Sequence, residues 1–230
     1  MRVHMSVQMS VVVKICGLST PEALDAALEA GADMVGFVFF PPSPRHLAFD
    51  VARSLGERVR GRAQKVALTV DADDATLDAV VEALRPDLLQ LHGTELPARV
   101  WALKRHYRLP VMKAIAVAAK ADLSAIETYA TLADRLLFDA RPPRDATRPG
   151  GLGQPFDWHL LEHVEPGVPY MLSGGLVAGN VGEALRLTQA PGVDVSSGVE
   201  RAPGDKDPEK IHAFVRAARA AASGQAHPAA

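Results

Sequence analysis

Cys16 closes the apolar run VVVKIC and is the only cysteine among 230 residues. A thiol at the end of a buried strand is either a small hydrophobe or, as thiolate, a base or nucleophile. Lys14 stands two residues earlier and so on the same strand face. There its ammonium would favour the thiolate or pair with a carboxylate deeper in the fold. Asp139 ends a second apolar run, LLFD. A carboxyl group in a partly desolvated pocket mouth keeps a proton available as a general acid, although strand-end aspartates also accept backbone hydrogen bonds. His92, in LLQLHG, suits an acid, a base, a metal ligand or a packed pocket wall. Asp71, His92 and Asp139 would hold a metal only with a shared geometry that spacing does not supply, and no metal or organic cofactor is expected.

Small residues mark a different chemistry. LSGGL and VSSGVE put Gly174, Gly175, Ser196, Ser197 and Gly198 at the ends of two late apolar runs. Without bulky side chains, backbone N–H groups there approach an anion closely, and a following helix would add a favourable dipole. A phosphate site is the expectation. Arg45 and Arg141 are candidate anion contacts, although surface arginines are also ordinary, and the candidate substrate contacts are Arg45, His92, Lys14 and Gly153. Gly153 belongs to GGLGQPFDW, which follows the proline-rich stretch RPPRDATRPG. That segment reads as a loop closing over a ligand before a helix begins at Asp157.

These residues need elements to position them, and two periodicities alternate along the chain. VVVKICG, DMVGFVFF, KVALTV, DLLQLHG, PVMKAIAV, DRLLFDA, VPYMLSG and GVDVSSG read as strands. Helical patterns follow: TPEALDAALEAG, 49–59, DDATLDAVVEALR, 97–106, KADLSAIETYA, FDWHLLEHV, GNVGEALRLT and DPEKIHAFVRAARAAA. Near-continuous apolar strands separated by helices imply a parallel sheet covered on both faces. Eight such units in 230 residues predict a single-domain α/β fold, the (β/α)8 TIM barrel, over an open doubly wound sheet. In a barrel the C-terminal strand ends carry the site. Those ends hold Lys14 and Cys16, the 39–45 segment, Asp71, Gln90 and His92, Lys113, Asp139 and Arg141, 173–175, and 194–198.

Composition narrows the partners. The chain is 48% hydrophobic and 23% charged with a net charge of −2, which argues against nucleic-acid or anionic-membrane surfaces. No apolar run reaches the about 18 residues of a membrane span. A single cysteine suits a reducing cytoplasm, and the chain is expected there as a monomer or homodimer. The barrel is expected over 11–222, with residues 1–10 an N-terminal extension and 223–230 a disordered tail.

In order, KICG, GADMVGFVFFPPSPR, LLQLHG, LLFDA, GGLGQPFDW, LSGGL, GN and VDVSSGVE…PGDKD resemble the phosphoribosylanthranilate isomerases, over about 12–222. The resemblance implies an Amadori rearrangement of a phosphosugar–anthranilate substrate in tryptophan biosynthesis. It implies Cys16 as general base, Asp139 as general acid and Arg45 as the strand-2 loop arginine. Leu152 departs from the usual Ser or Thr, and LTVDADD departs from the usual third strand, leaving Asp71 and Asp73 without an implied role. Two alternatives stand beside it. The histidine-pathway aminoimidazole carboxamide ribotide isomerases resemble this pattern but typically use two aspartates, one where this chain has Cys16. A silent phospho-metabolite binder would keep the glycines and lose the acid or base.

Overall fold

The apolar runs form strands buried from both sides, as the six consecutive buried residues of Met34–Phe39 illustrate. A computed structural model describes residues 11–143, 145–146, 148–153 and 155–224. Within them, eight parallel strands close into a barrel in chain order. They are β1 (Val12–Cys16), β2 (Met34–Phe39), β3 (Gln64–Thr69), β4 (Leu88–Leu91), β5 (Val111–Val117), β6 (Arg135–Ala140), β7 (Tyr170–Leu172) and β8 (Gly192–Val195). β8 pairs back onto β1, with Lys14 opposite Asp194.

Helices α1 (Pro21–Glu29), α2 (Phe49–Val59), α3 (Asp74–Leu84), α4 (Pro97–Tyr107), α5 (Ala125–Tyr129), α6 (Val181–Thr188) and α7 (Pro208–Gly224) wrap the barrel. The start of α1 follows from local chemistry: Pro21 fits the first turn, and Thr20 Oγ1 accepts a hydrogen bond from the Ala23 amide at 3.2 Å. Between strands and helices lies one continuous core that includes Phe37, Phe138 and Phe214, each fully buried. Burial of each such side chain stabilises the fold by about 1.5–3 kcal/mol. Inside the barrel, Met34, Val66, Leu88, Met112, Leu137 and Met171 fill the base. Cys16, Val38 and Leu68 lie in a separate cluster that borders the pocket.

Three connections depart from the expected pattern. FDWHLLEHV forms only a 3-10 turn, Trp158–Leu161: Asp157 caps its start by accepting from the His159 amide at 3.1 Å, and the backbone leaves the helical region at Glu162 (ψ 125°) and His163 (φ 63°). KADLSAIETYA splits into a 3-10 turn, Lys120–Ser124, whose start Asp122 caps by accepting from the Ala118 and Ala119 amides at 2.8 and 2.9 Å, and α5. A hairpin of β9 (Glu200–Ala202) and β10 (Asp205–Lys206) follows β8. Ser223 and Gly224, expected in the tail, belong to α7, whereas 1–10 and 225–230 lie outside the described residues. Among the described residues no helix is long and apolar enough to cross a membrane.

Candidate active site

Strand alternation sorts the candidate residues by level and by face. On β1, Lys14 and Cys16 both point into the barrel, but only Cys16 reaches the pocket at its mouth. Lys14 lies one layer below, fully buried, with Nζ 2.7 Å from Asp194 Oδ1. It therefore takes the alternative role foreseen for it, pairing with a deep carboxylate, and it does not line the pocket as a substrate contact. Asp194 also accepts from Ser173 Oγ at 3.4 Å. Burial alone would push the Lys14 ammonium down, yet the Asp194 carboxylate and Cys16 hold it above its ordinary value.

The Cys16 thiol is 3% exposed. Burial pushes its pKa up, Lys14 draws it down, and Asp194 pushes up again; the net direction is up. The nearby cations thus do not depress the thiol, contrary to the sequence expectation, because desolvation of a thiolate outweighs their attraction.

Asp139 sits at the end of β6, also nearly buried, with Oδ1 accepting from the Ala140 amide at 2.9 Å. Its Oδ2 lies 3.2 Å from His92 Nε2. His92 follows β4, and its Nδ1 accepts from the Gln90 amide nitrogen at 2.9 Å. The loop after β6 packs directly onto this pair. A Cβ at Gly150 would stand 2.6 Å from Asp139 Oδ2 and 2.8 Å from His92 Nε2, so only glycine fits. Asp71 does not join them. It turns left-handed at φ 46° and caps the Thr94 amide at 2.8 Å, away from the pocket. Lys113 also faces outward, where Nζ binds Glu95 Oε2 at 2.9 Å and the Gly93 carbonyl at 2.7 Å, holding the loop after His92.

Arg45 is 4% exposed, and its planar guanidinium grips Glu200 bidentately, Nε to Oε1 and Nη2 to Oε2, both at 2.7 Å. Nη2 also donates to the Gly151 carbonyl at 3.2 Å, tying the β2 loop to the loop after β6. Lys206 Nζ donates to Glu200 Oε1 at 2.6 Å and to the Ser196 carbonyl at 2.9 Å. Burial would raise the Glu200 carboxyl, but its two cations hold it below the ordinary range. Lys206 moves down, because burial and Arg45 together exceed what one shared carboxylate restores. Arg141 lines the pocket but pairs with Asp122.

Gly153, Gly174, Gly175, Ser196, Ser197 and Gly198 all line the same pocket. Gly175 adopts φ 65° and presses on Pro155, where a Cβ would come within 2.4 Å of its nitrogen. The Gly174 and Gly175 amides have no hydrogen-bond acceptor among the described residues. The expected helix dipoles are weaker contributors. α6 starts at Val181, beyond the glycines, and β8 is followed by a single turn, Ser197–Val199.

Sequence reasoning missed the roles of Glu200, Lys206 and Arg148. Arg148 lines the pocket with its Nε buried and unpartnered among the described residues. A charged residue inside an apolar run was the available signal for Asp194, whereas Glu200 and Lys206 lie in polar loops where charge is ordinary.

The family model for N-(5'-phosphoribosyl)anthranilate (PRA) isomerase matches residues 13–217. A protein of Nitrobacter hamburgensis named N-(5'-phosphoribosyl)anthranilate isomerase is 68% identical over 213 residues, 93% of this chain and 95% of that one. The crystal structure of phosphoribosyl anthranilate isomerase from Thermotoga maritima superposes with a TM-score of 0.82 at 33% identity, covering 91% of this chain and 99% of that chain. A phosphoribosyl anthranilate isomerase in complex with reduced 1-(o-carboxyphenylamino)-1-deoxyribulose 5-phosphate has a TM-score of 0.77 at 31% identity over 91% and 99% of the two chains.

Proposed function

The chain belongs to the N-(5'-phosphoribosyl)anthranilate isomerase family, and from that membership we propose that its pocket carries out an Amadori rearrangement with Asp139 as general acid and Cys16 as general base. It is an isomerase of tryptophan biosynthesis. In the proposed reaction Asp139 gives its proton to the furanose ring oxygen. The C1′–ring-oxygen bond breaks, and the anilino nitrogen lone pair forms the protonated Schiff base. Cys16, as thiolate, then takes the C2′ proton. The electron pair left at C2′ neutralises the iminium and gives an enolamine, which tautomerises to the ketone. No atoms are gained or lost between substrate and product.

The supporting observation is that Cys16 and Asp139 line one pocket together with the glycine and serine ends of β7 and β8. Phosphate held there would orient the sugar between acid and base. A raised thiol pKa makes the thiolate a minor species but a stronger base. The adjacent iminium acidifies the C2′ proton. Arg148 offers positive charge to the anthranilate carboxylate. A cytoplasmic site of action is part of the same proposal, on the ground of the single free cysteine.

The test follows the loss of anthranilate-type fluorescence from freshly made phosphoribosylanthranilate, for wild type, Cys16→Ser and Asp139→Asn. Loss of about 10²–10⁴-fold in kcat for each variant is expected, with affinity for a reduced product analogue retained. Full turnover in either variant would reject that residue's role.

A further inference from the structure

We propose that Gln90 is a positioning residue that sets the tautomer of His92, so that the imidazole presents an N–H to the acid, Asp139. The proposal rests on the reading of Asp139 as the acid. Gln90 is fully buried inside the barrel at the middle of β4, where an apolar residue would ordinarily stand. Its side-chain nitrogen lies 2.9 Å from His92 Nδ1, while its Oε1 has no partner among the described residues. A buried amide oxygen left unpaired is destabilising. The chain carries this cost at a residue whose one side-chain hydrogen bond goes to the histidine.

The consequence runs through the ring. An amide N–H donated to Nδ1 requires the lone pair there, so the neutral ring carries its proton on Nε2. Nε2 faces Asp139 Oδ2 at 3.2 Å. The N–H thus stabilises the carboxylate left when Asp139 gives its proton to the ring oxygen. The Ala140 amide supports the other carboxylate oxygen at 2.9 Å. In the opposite tautomer, the Nε2 lone pair would face Asp139 and accept its proton, competing with the substrate for it. Gln90 thereby acts on proton release without touching the substrate pocket, whose lining includes His92 and Asp139 but not Gln90.

Ring-nitrogen NMR of the whole protein near pH 7 reads the tautomer directly, with Gln90→Leu and Gln90→Glu as variants. In wild type, His92 is expected with Nε2 protonated and Nδ1 bare. Gln90→Glu presents an acceptor to Nδ1 and is expected to move the proton there. Gln90→Leu removes both preferences and is expected to lower kcat roughly tenfold to a hundredfold, with KM and product-analogue affinity unchanged. A purely structural role would move KM or thermal stability and leave the tautomer in place. Wild-type His92 protonated on Nδ1 would overturn the proposal, as would a full kcat in Gln90→Glu with the tautomer reversed. Should Gln90→Leu not fold, the wild-type spectrum and Gln90→Glu carry the test. An active Asp139→Asn protein would overturn the acid reading and the role built on it. The tautomer result would then show separately whether Gln90 orients the ring.

Discussion

Replacing Lys14 by Met removes one member of a buried ion pair whose aspartate borders the pocket. The Asp194 carboxylate keeps only Ser173 Oγ, at 3.4 Å, as a side-chain partner. Breaking a buried pair from one side costs about 3–5 kcal/mol. For a chain of this size each kcal/mol lowers Tm by about 2–4 °C, so a drop of roughly 6–20 °C is expected. The double variant Lys14→Met/Asp194→Leu replaces the pair by apolar groups, and its Tm is expected to return to within a few degrees of wild type. Activity separates from stability. Lys14 draws the Cys16 thiol down and Asp194 pushes it up, so the single variant leaves less thiolate at neutral pH and the double variant, losing both, a smaller deficit. Turnover is expected to fall about tenfold for each 1.4 kcal/mol of support the thiolate loses. Thermal unfolding followed by circular dichroism, with kcat/KM against pH, measures both effects. A double variant as unstable as the single, or one as active as wild type, would refute this reasoning.

Because burial raises the Cys16 pKa and the thiolate is the proposed base, kcat/KM is expected to climb with pH, with its limb above the ordinary thiol value of about 8.5. The rate of Cys16 alkylation by iodoacetamide should share that inflection; one at or below the ordinary value contradicts it. Glu200→Gln strips the shared carboxylate from Arg45 and Lys206, with an expected cost of about 3–5 kcal/mol in urea unfolding and a raised KM as the hold on Gly151 loosens. The depressed Glu200 carboxyl contributes stability above the ordinary carboxylate range that is lost as pH falls through its folded value. The variant should therefore show a shallower acid loss of Tm than wild type. Arg148→Ala removes a cation from the pocket wall and is expected to raise KM about tenfold to a hundredfold, the worth of one charge-assisted hydrogen bond. Steady-state fluorescence kinetics checks this, and an unchanged KM removes Arg148 from substrate binding.

The barrel was readable because its signal is repeated. Each apolar run is too short for a helix, each amphipathic run too long for a strand, and their alternation leaves few topologies. Cys16, His92 and Asp139 were readable for the same reason, since strand-end position converts sequence into pocket address. Lys14 was legible as a face but not as a depth. Two residues along a strand separate a pocket wall from a buried ion pair, and only the barrel's closure supplies Asp194. Arg45 presented the converse difficulty. It does line the pocket, but its charge is already committed to Glu200, 155 positions away in the chain. The short helix after β6 escaped because the backbone leaves the helical region at Glu162 and His163, a turn that apolar periodicity does not register.

The Lys14–Asp194 pair joins partners 180 positions apart, the first strand to the last. During synthesis the ribosome releases β1 long before β8 exists. Until then the interior position of Lys14 offers no counter-charge, and water is the more favourable place for its ammonium. A barrel lacking its final strand is therefore expected to stay open at that seam. The geometry at the catalytic end of β1 thus depends on a residue that the chain supplies last among its barrel strands.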